Sequence, residues 1–470
     1  MTPVLKRLDG TILDKATVAT FINAFGSKAL PPGNAGYDSA RRLWNASIDK
    51  YPGLIVRCLS AADVVRAVKF ARANNLLVAI KSGGHNVAGR ALCDEGIVID
   101  LSRMNGVSVD PASQTVNVQA GALLGDVDRE THLQGLAVPA GVMSKTGIAG
   151  LTLGGGVGWL GRKHGLTCDN LLACEVVTAD GRIVAADAVT NPDLFWGLRG
   201  GGGNFGIATS FHFRAHPVSS VLGGIIVYPR NHAATVFGLY RDFMGTAPEE
   251  LTAYAGLIST PDGKPAVAMM ACYCGNPEEG ERVIKPLRTI APPIFEAIQV
   301  MPFPVMQKLA DESNPDNIHN YWRSTFLQEL NDEAIDLIIE YGDKAESPLS
   351  HVLLQIFNGA VRKIADADTA FAHRGAGFNI GIEAKWIDPA ESAKHIAWTR
   401  AFSDALKPYS SHTCLVNFLG DEGADTVRAA FGSNYERLVE LKTKYDPTNF
   451  FSLNQNVKPR RSPKDDNLTH

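Results

Sequence analysis

The chain of 470 residues carries 45 lysines and arginines against 49 aspartates and glutamates, which gives a net charge of −4. This length predicts two domains, and a composition of 45% hydrophobic and 20% charged residues is typical of globular proteins. The absence of a basic stripe argues against a nucleic-acid-binding surface. The sequence contains no run of about 18 apolar residues, so we do not predict a membrane span. The seven cysteines are scattered and odd in number, which argues against a disulfide framework. The start of the chain has no apolar signal segment, so we expect a cytoplasmic protein.

The first third of the chain alternates short helices and strands. Asp14 to Phe25 has a helical pattern, and residues 53–86 predict a strand, a helix and a second strand. Ser60 suits the N-cap of that helix, with Val64 and Val68 on its buried face. Short β-branched runs separated by Asn-Gly and Asp-Pro turns then predict further strands up to about residue 120.

The second strand of this unit runs into KSGGHN, Lys81 to Asn86. Consecutive glycines can adopt positive φ and leave backbone N–H groups open to an anion. His85 would then lie beside a phosphate or a cofactor. A tight turn with a solvated histidine is the alternative, and the motif taken alone favours that alternative.

Residues 140–215 are rich in glycine, with apolar residues between the glycines throughout. This spacing predicts close-packed turns around a bound group rather than a linker. Two G-x-G-x-x-G matches, at 156–161 and 201–206, lie inside glycine clusters and lack the strand–turn–helix context of a dinucleotide fingerprint. The sequence has no G-x-x-x-x-G-K-[ST] and no paired metal-ligand spacing, so we predict neither a P-loop nucleotidase nor a metal site.

From about residue 216 the pattern changes to strand-like segments that alternate with helix-like ones. This pattern predicts an antiparallel sheet with helices on one face, and therefore an α+β fold. The polar end of the chain, RRSPKDDNLTH at 460–470, predicts a disordered tail.

Four motifs occur in a fixed order along the chain. They are KSGGHNVAG at 81–89, a glycine-rich segment at 140–171, PDLFWGLRGGGGNFGIAT at 192–209 and YDPTNFFSLNQNVKP at 445–459. Together they resemble the FAD-linked oxidase family of the vanillyl-alcohol-oxidase superfamily, in its berberine-bridge-enzyme-like branch. The resemblance runs from about Trp44 to Pro459. It implies an FAD-binding domain of two small α/β subdomains at 1–215, to which 430–470 returns, and a substrate-binding domain at 216–429.

The resemblance also implies where FAD is held. His85 is expected to form an 8α-N linkage to the isoalloxazine. Met143 stands where a bicovalent subgroup has a cysteine, so we expect a single covalent bond and a structural role for Cys168. Thr146 is expected near flavin C4a, where it would influence oxygen access, or else to be an ordinary loop threonine. The residues expected to contact FAD are Ser82, Gly83, Gly84, His85, Asn86, Gly89, Thr146, Gly147, Gly150, Gly154, Gly155, Gly158, Asp169, Asn170, Gly206, Ile207, Asn454, Gln455 and Asn456.

The catalytic base departs from the family's pattern. Leu415 and Phe418 stand at the two positions near LVNFLGD where relatives carry aromatic residues, one of them a tyrosine, and neither can accept a proton. Gln355 stands where a glutamate is often seen, and an amide can orient a substrate but is no base. We predict Tyr321 as the first candidate, because aromatic side chains suit a flavin-facing pocket, with a core tyrosine as the alternative. The other candidates are Asn417, His319, His351 and His412.

The predicted function is that of an FAD-dependent oxidoreductase acting as an oxidase. It would take a hydride from an alcohol, an amine or a ring C–H of a small organic substrate onto flavin N5, and O2 would reoxidise the flavin and give H2O2. A dehydrogenase with another electron acceptor is one alternative. A non-redox cyclase or binding protein that keeps FAD as a structural element is the other.

Overall fold

The computed structural model describes residues 4–460. A parallel sheet lies near the start, in the order β1-β2-β4-β3, with only β1 antiparallel. Its strands are β1 (Ala29–Leu30), β2 (Leu54–Arg57), β3 (Val78–Lys81) and β4 (Ile97–Asp100), and its helices are α1 (Lys15–Phe25), α2 (Tyr37–Ala40) and α3 (Ala61–Ala73). Ser60 caps α3 by accepting the N–H of Asp63, as the sequence predicts. The segment SGGHN therefore leaves the sheet at the carboxyl end of β3, which is where open α/β sheets bind ligands.

A five-stranded antiparallel sheet follows, in the order β5-β6-β10-β8-β9, beside a two-stranded β7-β11 pair. Its strands are β5 (Val107–Asp110), β6 (Thr115–Gln119), β8 (Leu171–Val177), β9 (Ile183–Asp187) and β10 (Ile207–Arg214), and the pair is β7 (Leu136–Ala137) with β11 (His216–Pro217). The helices of this region are α4 (Leu124–His132), α5 (Ile148–Leu153), α6 (Gly161–His164) and α7 (Pro192–Leu198). Neither G-x-G-x-x-G match opens a long helix after a strand, since 201–206 leads directly into β10.

The largest sheet has seven antiparallel strands in the order β15-β12-β14-β13-β17-β18-β16. They are β12 (Ser220–Pro229), β13 (Leu251–Ser259), β14 (Pro265–Tyr273), β15 (Phe295–Pro302), β16 (His319–Leu327), β17 (His351–Ile356) and β18 (Phe378–Trp386). The helices are α8 (Ala233–Thr246), α9 (Pro277–Arg288), α10 (Phe303–Met306), α11 (Asp332–Asp343), α12 (Ala360–Lys363) and α13 (Ser392–Ala405). The buried residues Phe237, Ile284, Ile338 and Phe402, one from each long helix, share a hydrophobic core with the strands. The predicted α+β fold, with helices on one face of an antiparallel sheet, is confirmed.

The chain then returns toward its beginning through α14 (Ala424–Phe431) and α15 (Tyr435–Tyr445). Leu438, Phe451 and Val457 are buried in the same hydrophobic core as the first two sheets. The division into 1–215 with 430–470, and 216–429, stays a prediction that this packing supports, and the tail from 461 lies outside the described residues. In the part of the chain that the structure describes, no helix is both long enough and apolar enough to cross a bilayer.

Candidate active site

A cavity of about 790 Å3 lies where the SGGHN segment, the glycine-rich loops and the seven-stranded sheet meet. Ligand pockets in proteins have volumes of about 300–1,000 Å3, so this cavity is at the upper end of that range. Its wall includes the end of β3, the 141–157 and 202–208 loops, parts of β13, β17 and β18, and the 453–455 turn. One continuous space therefore reaches from the parallel sheet to the antiparallel one.

The SGGHN segment packs directly on a second loop of the wall. A side chain at Gly83 would place its Cβ 2.5 Å from the backbone nitrogen of Gly147. The two loops can therefore approach this closely only because both positions are glycine. Gly84 adopts φ +72°, a conformation that favours glycine. The Ser82 hydroxyl donates to the carbonyl of Ala120 at 2.6 Å and fixes the start of the turn. These constraints explain the glycines of the motif by local geometry.

His85 is held rigidly beside the cavity. Its ring stacks on Trp44 with the centroids 4.5 Å apart and the planes 17° apart. Its Nε2 is buried and has no hydrogen-bond partner among the described residues. Burial lowers the pKa of His85 to about 4, so the imidazole is neutral at physiological pH. The cavity wall thus carries a neutral, oriented ring nitrogen with a free lone pair or N–H.

Most of the residues predicted to contact FAD do line this cavity. They are Ser82, Gly83, Gly84, His85, Asn86, Thr146, Gly147, Gly150, Gly154, Gly206, Ile207, Asn454 and Gln455. The structure places six others outside the wall, namely Gly89, Gly155, Gly158, Asp169, Asn170 and Asn456. The motif residues therefore divide into a set that faces the cavity and a set behind it.

The residues behind the wall shape the loops that carry it. Gly155 adopts φ +116° and leaves no room for a side chain against Phe371. Asp169 pairs with Arg374 at 2.6 Å, and the Asn170 amide donates to backbone carbonyls of the preceding turn. Their side chains are fully used in holding the fold.

Two amide side chains fasten the end of the chain to the wall. Asn454 Nδ2 donates to the carbonyl of Gly203 at 3.0 Å, and Gln455 Nε2 donates to the carbonyl of Leu419 at 2.8 Å. Asn417, a catalytic candidate from the sequence, lines the cavity but gives its amide to the carbonyl of Gly150 at 3.2 Å. Asn417 therefore holds the middle of α5 by donating to the carbonyls of Gly150 and Leu151.

The structure separates the other catalytic candidates. Gln355 lines the cavity, and its Oε1 accepts a hydrogen bond from Asn379 at 2.9 Å. Tyr321 does not line it, because β16 alternates its faces and turns the neighbouring Trp322 to the cavity instead. The Tyr321 hydroxyl accepts from Arg400 and donates to Asp421 on the far side of the sheet. This placement removes Tyr321 from the group of side chains that can touch a ligand here, and His319 and His412 are also absent from the wall.

Sequence reasoning missed a cluster of charged side chains on β17 and β18. His351 and Glu383, register partners on the two strands, both line the cavity, with His351 Nε2 2.7 Å from Glu383 Oε2. Lys385 Nζ lies 3.6 Å from the same oxygen. The sequence names His351 as one of several candidates, but its motifs do not point to Glu383 or Lys385. A signal was available, because IEAKW places two charges among strand residues that all prove buried.

The electrostatics of this cluster are unusual for a strand interior. Burial alone would raise the pKa of Glu383, but His351 and Lys385 outweigh burial and hold it below its ordinary value. Burial lowers the pKa of Lys385 to about 8, against the opposing influence of Glu383. At neutral pH the cavity wall therefore presents an ionised carboxylate that is paired with a buried ammonium.

Arg90 is a further residue that the sequence did not single out. It follows the SGGHN segment, lines the cavity, and has a buried Nε with no hydrogen-bond partner among the described residues. Among the described wall residues it is the one arginine or lysine. A guanidinium in this position suits a phosphate.

These features define a flavoprotein of the FAD-binding fold, and comparison with known proteins agrees. The FAD binding domain model matches residues 52–187, and the model for berberine and berberine-like proteins matches residues 414–458. An FAD-linked oxidoreductase of Dictyostelium discoideum is 35% identical over 427 residues, covering 90% of this chain and 92% of the relative.

Relatives with a stated activity are also similar over nearly their full length. The (R)-6-hydroxynicotine oxidase of Paenarthrobacter nicotinovorans is 30% identical over 443 residues, covering 92% of this chain and 96% of the enzyme. The crystal structure of 6-hydroxy-D-nicotine oxidase from Arthrobacter nicotinovorans superposes with a TM-score of 0.85 at 29% identity, covering 92% of this chain and 98% of that one. The chain belongs to the berberine-bridge-like family of FAD-linked oxidoreductases. The predicted family, the FAD cofactor and the oxidoreductase activity are confirmed.

Proposed function

We propose that this protein is an oxidase that holds FAD through one covalent bond to His85 and passes electrons from a small alcohol, amine or ring C–H to O2. The observation that carries the proposal is the His85 ring, which stacks on Trp44 and lies in the wall of a cavity of about 790 Å3. The ring is neutral, and its buried Nε2 has no hydrogen-bond partner among the described residues. When bound, FAD supplies a hydride acceptor.

The residues present fit a dinucleotide. A Cβ added at Gly150 or Gly203 would meet no atom within 4 Å, so the wall leaves open space at both glycines. The backbone of Ser82 to Gly84 and the Arg90 guanidinium would hold the diphosphate. The 202–208 loop would hold the adenine side, with Asn454 and Gln455 closing the wall.

A single covalent bond is favoured by the composition of the wall. Met143 lines the cavity, and none of the described wall residues is a cysteine. All seven cysteines are unpaired thiols, which is also consistent with the cytoplasmic location that we propose. His85 is therefore the one residue in the described wall that we assign to covalent attachment.

The substrate would bind at the end of the cavity formed by the seven-stranded sheet. Trp322, Tyr254, Met270 and Ile225 give this end an apolar and aromatic surface. Gln355 offers an amide that can orient a hydroxyl or amino group. The names of the relatives, a hydroxynicotine oxidase and a carbohydrate oxidase of Microdochium nivale, support an amine or an alcohol.

The test combines covalency with reoxidation. We expect acid-precipitated wild-type protein to stay yellow and His85→Ala to release its flavin into the supernatant. Photoreduced enzyme mixed with air should return to the oxidised spectrum within seconds and produce one H2O2 per flavin. Loss of colour from the wild type on precipitation would disprove the covalent bond, and reoxidation over many minutes would favour a dehydrogenase.

A further inference from the structure

We propose that Glu383 is the proton acceptor of the oxidation, with His351 and Lys385 as the residues that orient it and keep it ionised. This inference rests on the proposed function, because it names the group that takes the proton released as the substrate is oxidised. The sequence motifs assign no residue to this role, since Leu415, Phe418 and Gln355 cannot accept a proton.

Glu383 lies close to the flavin attachment point that we propose. It is the register partner of Trp322 on the neighbouring strand, and both side chains line the cavity. The Trp322 ring contacts the Trp44 ring edge-on at 5.3 Å, and Trp44 stacks on His85 at 4.5 Å. Two aromatic rings therefore span the distance from the carboxylate strand to His85.

The carboxylate is fixed in orientation by its partners. Its Oε2 lies 2.7 Å from His351 Nε2 and 3.6 Å from Lys385 Nζ. Lys385 in turn donates to the Asn314 side chain and to the carbonyl of Ser313, and its Nζ lies 6.0 Å from the Trp322 ring. A buried charge that is paired and hydrogen-bonded in this way keeps one geometry. Preorganisation of this kind is what proton transfer requires.

The proposed step conserves atoms and charge. The O–H or N–H bond of the substrate breaks with its proton going to the Glu383 carboxylate, and the hydrogen of the C–H bond leaves with its electron pair as a hydride, which FAD would accept when bound. The C=O or C=N bond of the product forms from the electron pair left on oxygen or nitrogen. The Lys385 ammonium, 3.6 Å from Glu383 Oε2, offsets the negative charge of the carboxylate until the proton arrives.

Few other charged groups face this carboxylate. His351 reaches it from β17 and Lys385 from β18, while Glu312 lies elsewhere on the cavity wall. Lys145 and Asp316 form an ion pair with each other at 2.8 Å. Lys385, with its pKa of about 8, is therefore the group whose titration changes the field at Glu383 near neutral pH.

The main test compares two glutamates in the holoenzyme. Glu422 is a suitable control because it is also largely buried and ion-paired, with Arg323, yet it does not line the cavity. Flavin bleaching is followed anaerobically by stopped flow with four probes, benzyl alcohol, benzylamine, D-glucose and 6-hydroxynicotine. General-base catalysis is worth about 10²–10⁴-fold in rate, so Glu383→Gln should slow bleaching by at least 100-fold with its flavin content unchanged. Glu422→Gln should stay within about threefold of the wild type. Equal rates for the wild type and Glu383→Gln would overturn the proposal.

A second measurement needs no substrate. The oxidised flavin spectrum is titrated from pH 5 to pH 10, and the wild type should show a transition near pH 8, the pKa of Lys385. Lys385→Met should abolish this transition, and Glu383→Gln should move it to lower pH, because the carboxylate raises the pKa of that lysine.

This titration also decides the proposal if none of the four probes bleaches the flavin. The proposal is then overturned if the wild type shows no transition, or if Glu383→Gln leaves the transition at the same pH. If Glu383→Gln does not fold, His351→Asn replaces it, with a smaller loss of rate expected. Colourless wild-type protein would instead refute the FAD site itself.

Discussion

At the scale of single residues, burial decides which polar groups are available for chemistry. His85 Nε2 and Arg90 Nε are both buried in the cavity region and have no hydrogen-bond partner within residues 4–460. A buried polar atom without a hydrogen bond costs about 1–3 kcal/mol, so such atoms point to a ligand that satisfies them. By contrast, the side chains of Asp169 and Asn170 are already engaged within the protein, by Arg374, His216 and a backbone carbonyl.

Arg90 can be tested as a diphosphate ligand. A hydrogen bond from a charged group contributes about 1.5–3 kcal/mol, so Arg90→Gln should weaken FAD binding about 10- to 100-fold and Arg90→Lys should weaken it less. The measurement is quenching of flavin fluorescence on titration of His85→Ala apoprotein, which removes any covalent bond. Arg129→Gln, an exposed arginine on α4 paired with Asp126, is the control. An unchanged affinity in Arg90→Gln would show that the guanidinium does not contact FAD.

At the scale of elements, the return of the chain depends on one buried ion pair. Lys442 and Asp446, at the end of α15, are both fully buried and 2.7 Å apart. Lys442 also donates to the carbonyls of Asn204 and Phe451. It thereby joins the helix, the glycine-rich loop and the turn that carries Asn454 and Gln455 into the cavity wall.

Breaking this pair should destabilise the whole protein. Removing one partner of a buried pair costs about 3–5 kcal/mol, so Lys442→Met should lower the free energy of unfolding by that amount and increase flavin loss from His85→Ala protein. Lys444→Met is the matched control, since that lysine is 59% exposed and paired with Asp193, and exposed pairs contribute about 0–1 kcal/mol. The free energy of unfolding of both variants is measured by urea unfolding, followed by tryptophan fluorescence. Equal destabilisation by the two variants would contradict this role of Lys442.

At the scale of the whole molecule, the cavity exists only where separate sheets meet. The parallel sheet supplies SGGHN, the glycine-rich loops supply the middle of the wall, and the antiparallel sheet supplies the substrate end. The junction near residue 216 contains a pair of half-buried histidines. His164 of α6 stacks on His216 of β11 with the centroids 3.8 Å apart.

This histidine pair makes the fold sensitive to acid. Burial lowers the pKa of His164 to about 3 and that of His216 to about 4, from 6.5 in the unfolded chain. The unfolded chain therefore binds more protons below pH 6.5, and the stability present above that value should be lost progressively as the pH falls toward 4. We expect the Tm to fall over this interval and His216→Asn, which keeps an amide beside Asn170, to show a shallower dependence. A Tm that is constant from pH 7 to pH 4 would refute the linkage.

The family, the cofactor and the general fold can be predicted from the sequence alone, because they depend on local patterns. Glycines that need positive φ or close backbone contact, the Ser60 cap and the strand–helix alternation are each readable within a few residues. The SGGHN segment and its position at the end of β3 followed from this local information.

Which side chains share the cavity depends on long-range strand pairing and cannot be read from local patterns. Tyr321 and Trp322 are adjacent, and both faces of their sheet are covered, so hydrophobic alternation could not tell which one faces the cavity. Glu383 and His351 are 32 residues apart and meet only through the register of β17 with β18. Strand pairing, a long-range property, therefore brings together Glu383, the proposed proton acceptor, and His351, which orients it.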